Sequence, residues 1–166
     1  TTNGKLTTLN GTLFIPRGAN YIRLNGSQEG TSPTTPMKPV YHSTFSSTLF
    51  NVTQAKALLT QLSLNGYNIV RVFIDHGDPD RDDAVVQDNY LSKQYMDNVA
   101  TFVQLAAKLN IYTIPTLELF PSYTSQYGCN ATSLEQKLFP YPNAALFISG
   151  CVRAKRQYVI DFLHEL

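Results

Sequence analysis

Two short segments, residues 68–75 and 111–118, constrain the fold of this chain more than any other feature. Each is a nearly continuous apolar run that becomes polar or charged at its carboxyl end. Strands buried on both faces have this pattern, and they belong to parallel sheets covered by helices. A helical pattern precedes each run, so the order is helix, strand, helix, strand. The sequence therefore predicts a parallel α/β fold, with its chemistry at the carboxyl ends of the strands.

The rest of the chain predicts a hairpin, a first strand and three helices. Asn10-Gly11 separates two apolar stretches within residues 4–15, which predicts a hairpin with a type I′ turn. A first core strand is predicted at 18–24, followed by a long loop over 25–47. Further loops are predicted at 75–89 and 118–149. Helices are predicted from about 51 to 64, from 91 to 109 and from about Cys151 onward, the first two ended by Asn65-Gly66 and Asn110.

Composition and missing motifs exclude several functional classes. The 166 residues are 43% hydrophobic and 15% charged, which is enough for one domain with a real core. A net charge of +1 gives no reason to expect nucleic acid or an anionic membrane as partner. No apolar run approaches the roughly 20 residues of a membrane helix. The sequence also lacks a Gly-rich phosphate loop, His-Glu-x-x-His, Cys-x-x-Cys and Gly-x-Ser-x-Gly, so no cofactor is predicted.

Glycosylation triplets and cysteines indicate a secreted, extracellular protein. Four triplets fit Asn-x-Ser/Thr, about twice the number expected by chance at this composition. Cys129 and Cys151 are the only cysteines. A disulfide between them would tie a loop to the start of the next helix, and two unpaired cysteines are the alternative. The predicted glycosylation sites are Asn10, Asn25, Asn51 and Asn130.

Arg71 is the most unusual residue of the predicted strands. It lies among apolar residues on a strand expected to be buried. A guanidinium there needs a carboxylate partner or a polar cavity, because it does not lose its charge. One hypothesis places Arg71 at the mouth of a site, where it orients an acidic catalytic residue. The alternative is a structural ion pair between neighbouring strands.

The predicted loops carry further polar candidates. Residues 75–83 are dense in aspartate but lack the glycine and terminal glutamate of a calcium-binding loop, so a solvated loop is favoured over a calcium site. His42 is either a ligand contact or an exposed loop histidine. Glu118, at a strand end, is a candidate proton donor or acceptor whose partner the sequence does not identify.

With these residues in view, the chain resembles the amino-terminal part of a clan A glycoside hydrolase of the family 5 type. The resemblance runs from about residue 4 to the end, and its most specific part is the block around Arg71. It implies a (β/α)8 barrel, of which residues 1–166 are the amino-terminal portion of one catalytic domain, with a hairpin and about the first three βα units. The chain is expected to be cut within the helix after strand 3. The matching segments are Arg17-Gly18-Ala19-Asn20-Tyr21, Tyr41-His42-Ser43-Thr44-Phe45, residues 66–75 and residues 110–117.

The resemblance implies a retaining enzyme that hydrolyses a β-linked polysaccharide or oligosaccharide with two glutamates. In such enzymes a second-strand arginine bonds to the nucleophilic glutamate, and Arg71 matches that position. The two glutamates are expected on strands 4 and 7, beyond Leu166, so this segment alone is expected to be inactive and the complete protein to be a monomer. By position, the residues expected to line the sugar cleft are Asn20, Tyr21, His42, Phe73, Asp75 and Glu118.

Two other functions remain open at this point. A secreted carbohydrate-binding protein could use the same scaffold without catalysis. A free-standing α/β module of flavodoxin type is a third hypothesis, weakened by the missing phosphate loop. An Asn-Glu pair at the end of strand 4 and a glutamate on strand 7 would favour the enzyme.

Overall fold

The protein is represented by a computed structural model, which describes residues 5–21, 44–47, 49–74, 86–87, 90–117, 127, 132–138 and 147–166. Its strands are β1 Gly18–Tyr21, β2 Ile69–Ile74, β3 Val86–Gln87, β4 Tyr90–Leu91 and β5 Tyr112–Leu117. Its helices are α1 Val52–Leu64, α2 Lys93–Lys108, α3 Ser133–Leu138 and α4 Ser149–His164.

The main sheet contains three parallel strands in the order β1-β2-β5. Its register places Arg71 between Asn20 of β1 and Ile114 of β5. Helix α1 precedes β2 and helix α2 precedes β5, as the apolar runs and helical patterns predict. The prediction of three adjacent parallel strands in an α/β fold is therefore confirmed.

Helix α1 begins at a side-chain cap. The Asn51 side chain lies next to the first turn, where its Oδ1 accepts a hydrogen bond from the backbone N–H of Gln54 at 3.0 Å. This bond satisfies one of the donors that the first helical turn leaves without a partner. A cap of this kind stabilises a helix by about 1 kcal/mol.

Both connecting helices end in the same backbone motif. The residue after each cap adopts a left-handed conformation, with φ of 76° at Gly66 and 57° at Asn110. The next backbone N–H, from Tyr67 or Ile111, bonds back into the last helical turn at 3.0 Å. This is the Schellman arrangement, which glycine and asparagine favour because they tolerate positive φ. The predicted helix ends are confirmed, and each leads directly into a strand.

Asn68 forms hydrogen bonds to three parts of the chain at the amino ends of the parallel strands. Its Oδ1 accepts from the Arg17 backbone N–H at 2.8 Å, and its Nδ2 donates to the Ile15 carbonyl at 2.9 Å. Its own carbonyl accepts from the Tyr112 N–H at 2.8 Å. One side chain thus ties the segment before β1 to β2, and its backbone continues the ladder to β5.

The hydrophobic core lies between the sheet and the helices α1, α2 and α4. Val70, Val72 and Ile74 alternate along β2 toward this side and are at most 1% exposed. The helices contribute buried aliphatic and aromatic side chains, among them Ala55, Leu59, Val99, Phe102, Ala106, Tyr158 and Phe162. Alternation along the strands sends the intervening residues to the other face.

The opposite face of the sheet is open over much of its area. Among the described residues, Arg71 is exposed, while Tyr112 is 59% and Ile114 is 47% exposed. Of the described strand residues on this side, only Phe73, at 8%, is buried. The prediction that these strands are buried on both faces is therefore wrong for the described part of the chain, because its core-forming helices all pack on one side.

The predicted hairpin is present, but its turn type is different. Thr7 and Leu13 form an antiparallel bridge, and Gly11 donates its N–H to the Thr8 carbonyl at 2.9 Å. Gly11 has φ of 81°, whereas Asn10 does not have a positive φ. A type I′ turn needs positive φ at both residues, so the turn is a longer loop with glycine in the left-handed position.

Strand β3 and helix α3 lie in regions predicted as loops, and β4 lies between the loop predicted at 75–89 and helix α2, including Leu91, which was predicted to be helical. Strands β3 and β4 pair as a small antiparallel hairpin, in which Val86 is opposite Leu91. Helix α3 lies within the predicted loop of residues 118–149. Two-residue strands and a six-residue helix are too short to show a hydrophobic period, which explains why the sequence did not predict them.

Candidate functional site

An open depression of about 310 Å³ lies on the exposed face of the sheet. It crosses all three parallel strands, and Arg71 stands at its centre because the register places Asn20 on one side and Ile114 on the other. The lining residues are Gly18, Ala19, Asn20, Ile69, Arg71 and Ile114. The depression thus combines an apolar floor with one amide and one guanidinium.

Two contacts hold the guanidinium of Arg71. Its Nε donates a hydrogen bond to Thr116 Oγ1 at 2.8 Å. Its Cζ lies 4.5 Å from the centroid of the Phe73 ring, which is cation–π geometry. Phe73 and Thr116 are register partners, each two residues further toward the carboxyl end than Arg71 and Ile114. The guanidinium is therefore held toward the carboxyl ends of the strands.

No carboxylate among the described residues forms an ion pair with Arg71. The ion pair found in that part of the chain joins Lys93 and Asp97 on the surface of α2, at 2.8 Å. The structural ion pair between strands, the alternative role for Arg71, thus has no support within these residues. Arg71 is also exposed, contrary to the prediction, because nothing in the described residues covers it on this face.

The structure brings together some of the predicted cleft residues and separates others. Asn20 and Phe73 share the exposed face with Arg71. Tyr21 is 9% exposed and packs in the core, with its ring 4.7 Å from that of Phe102. Consecutive strand residues point to opposite faces, so Asn20 and Tyr21 cannot both line one depression. The predicted residues His42, Asp75 and Glu118 lie outside the described residues.

Two further residues near the carboxyl end of β5 were not predicted. Thr116 contacts Arg71, as described above. Lys155 extends from α4 and donates from Nζ to the Leu117 carbonyl at 3.1 Å. Burial lowers the pKa of Lys155. Alternation from Ile114 is a signal that could have found Thr116, whereas no local pattern links Lys155 to a strand that ends 38 residues earlier.

Other contacts join α4 to the chain after β5. Tyr127 is buried and donates from its hydroxyl to Asp161 Oδ2 at 2.9 Å. Burial, and then the bond to Asp161, raises the pKa of Tyr127 well above its usual value. Cys151 is fully buried and disulfide-bonded. The other cysteine of the chain, Cys129, lies outside the described residues.

Two of the four predicted glycosylation sites lie within the described residues. Asn10 and Asn51 are exposed, whereas Asn25 and Asn130 lie outside the described residues.

Within the described ranges, no three His, Cys, Asp or Glu side chains form a group that could hold a metal ion. None of the helices in that part of the chain has the length and apolar composition needed to cross a membrane.

Comparison with solved structures identifies a similar fold. The whole chain matches part of the exo-beta-1,4-mannosidase Op5Man5 from Opitutaceae bacterium strain TAV5, with a TM-score of 0.61 and 16% sequence identity, and the match covers 24% of that chain. A structure described as a glycoside hydrolase matches 69% of this chain and 25% of its own, with 19% identity and a TM-score of 0.40. No protein-family model matches the sequence. No curated protein matches it either.

These comparisons define the fold class. The described residues form a three-stranded parallel α/β sheet with helices, similar to a segment of a glycoside hydrolase. The chain spans about a quarter of the length of the mannosidase structure that it matches. The predicted resemblance to glycoside hydrolases is therefore confirmed at the level of fold.

Proposed function

We propose that the complete protein is a retaining glycoside hydrolase with a (β/α)8 barrel of the family 5 type, and that this chain supplies the hairpin and the first three βα units. One observation carries the proposal. Arg71 projects from the sheet face opposite the helices, and two contacts hold its guanidinium toward the carboxyl ends of the strands. In a (β/α)8 barrel the face opposite the helices is the interior, and the carboxyl ends carry the active site. The mannosidase-like fold supports the same proposal.

The role proposed for Arg71 follows from the chemistry of retention. A retaining glycosidase needs two carboxyl groups about 5 Å apart, one ionised as nucleophile and the other protonated as acid. A fixed guanidinium stabilises the ionised nucleophile and orients it. By the resemblance to family 5 enzymes, in which the two glutamates stand on strands 4 and 7, we assign both of them to parts of the protein beyond Leu166. Asn20 and Phe73, together with the loop residues His42, Asp75 and Glu118, would contribute to the sugar cleft.

The proposed substrate is a β-linked polysaccharide or oligosaccharide, and the complete enzyme would act as a monomer without a cofactor. In a closed barrel, side chains of the other strands would fill the depression, which reaches Gly18 and Ile69 at the amino ends of β1 and β2, so we place the carbohydrate at the carboxyl ends. Hydrolysis with retained anomeric configuration needs no metal or organic cofactor, because two carboxyl groups supply the nucleophile and the proton.

The 166-residue chain alone should show no glycosidase activity, because no catalytic pair of carboxylates is assigned to it. Purified chain and full-length protein would be assayed side by side with aryl β-glycosides, β-glucans and mannans. We expect turnover by the full-length protein only. Turnover by the short chain that survives rigorous purification would place the catalytic pair within these residues. Saturable sugar binding by the full-length protein without hydrolysis would instead favour a carbohydrate-binding protein.

We also propose that the protein is secreted and carries a glycan on Asn51. The exposed Asn51 uses Oδ1 for the helix cap, while glycan attachment uses Nδ2, so the two roles are compatible. Protein secreted from a eukaryotic host should lose mass on enzymatic removal of N-glycans. Asn51→Asp should lack one glycan yet keep its stability, because aspartate caps a helix as well as asparagine. An unchanged glycan mass in Asn51→Asp would rule out this site.

A further inference from the structure

We propose that Thr116 is a positioning residue for Arg71, which fixes the guanidinium so that it meets a carboxylate end-on through Nη1 and Nη2. This inference rests on the proposed glycosidase function and adds a residue to that site. It predicts which edge of the guanidinium faces the nucleophile, and which neighbouring side chain determines this choice.

The hydrogen bond that Arg71 donates from Nε determines which edge of its guanidinium remains available to a carboxylate. Nε carries a single N–H, and it is donated to Thr116 Oγ1 at 2.8 Å, a normal length for such a bond. A carboxylate that approaches side-on would need this N–H together with one on Nη. With Nε engaged, the two-pronged contact left to a carboxylate uses the terminal Nη1 and Nη2.

Phe73 limits movement of the Arg71 guanidinium toward the sheet. Its ring lies 4.5 Å from Cζ, so the flat guanidinium rests against a buried aromatic surface. Thr116 fixes the rotation of the group by its hydrogen bond, and Phe73 limits movement toward the sheet. Phe73 thus has a role toward Arg71, in addition to any contact that it makes with sugar.

The same strand offers a matched control for Thr116. Thr113 also lies on β5, but alternation directs it to the helix-covered face. Its Oγ1 is buried and has no hydrogen-bond partner among the described residues. Thr113→Val therefore makes the same chemical change without removing a hydrogen bond, and loss of an unsatisfied hydroxyl is neutral or stabilising.

The test compares Thr116→Val, Thr116→Ser and Thr113→Val in the full-length protein. Thr116→Val keeps the shape of the side chain and removes the acceptor, so kcat should fall about tenfold. The acid limb of the pH–rate profile should move upward, because a loosely held guanidinium stabilises the ionised nucleophile less well. Thr116→Ser restores the acceptor and should recover most of the loss. Thr113→Val should match the wild type in both measurements.

Crystal structures of the full-length wild type and Thr116→Val provide a readout that does not depend on activity. We expect the bond between Nε and Thr116 in the wild type, and a rotated or disordered guanidinium in the variant. If this difference is seen in a protein without glycosidase activity, the positioning role stands and the proposed function fails. An active Thr116→Val protein with wild-type kcat, pH profile and guanidinium position would overturn the positioning role.

Discussion

Replacing Arg71 with Ala should lower kcat of the full-length protein by at least about a hundredfold, the size of effect seen when a fixed electrostatic partner of the reacting groups is removed. In the proposed mechanism the nucleophile must stay ionised beside a protonated acid, and the guanidinium would favour its ionised form. Without Arg71, the pKa of the nucleophile should rise. Activity on the acid side would then be lost at a higher pH than in the wild type.

Measurement of kcat and kcat/KM across pH tests this prediction. Arg71→Lys should recover only part of the loss, because an ammonium group does not reproduce the two-pronged geometry. Arg156→Ala is a matched control, since Arg156 is exposed on α4, away from the sheet face. A normal pH profile and kcat in Arg71→Ala, accompanied by lower stability, would assign Arg71 a structural role.

The largest expected loss of stability follows replacement of Phe102 with Ala. Phe102 is fully buried, and its ring lies 4.7 Å from that of Tyr21 and 5.5 Å from that of Phe45. It therefore joins α2 to β1 and to the segment before α1. Truncation leaves a cavity among these rings, and the free energy of unfolding should fall by roughly 3–5 kcal/mol.

Denaturant unfolding of the variants measures this difference directly. Phe147→Ala makes the same chemical change at a residue that is 66% exposed. It should lower the free energy of unfolding by clearly less than Phe102→Ala does, because most of the Phe147 side chain is already in contact with water in the folded protein. Equal losses in the two variants would show that Phe102 is not at the centre of the core.

The sequence predicts the order and direction of the main strands because their apolar runs are long and their helix ends are distinctive. Gly66 and Asn110 are residue types that favour the left-handed backbone, so the starts of β2 and β5 could be predicted closely. Burial could not be predicted in the same way. Ile114 is as hydrophobic as Val72, and only the placement of the helices leaves one exposed and the other covered.

Some residues of the candidate site could be predicted from the sequence and others could not. Arg71 could be found because a charged residue inside an apolar strand is unusual. Thr116 could not, since threonine is common in strands and its contact with Arg71 depends on the register between β2 and β5. Tyr21 was assigned to the cleft from its position at a strand end. Asn20 is placed in the cleft in the same way, but consecutive strand residues point to opposite faces, so only Asn20 shares the face of Arg71.

The stereochemistry of hydrolysis by the full-length protein tests the central claim most directly. Proton NMR would follow the anomeric signals of a β-linked oligosaccharide from the first minutes after the enzyme is added. A retaining two-glutamate mechanism predicts that the β anomer of the product appears first and that the α anomer accumulates later by mutarotation. First appearance of the α anomer, or no hydrolysis of any β-linked substrate, would contradict the account.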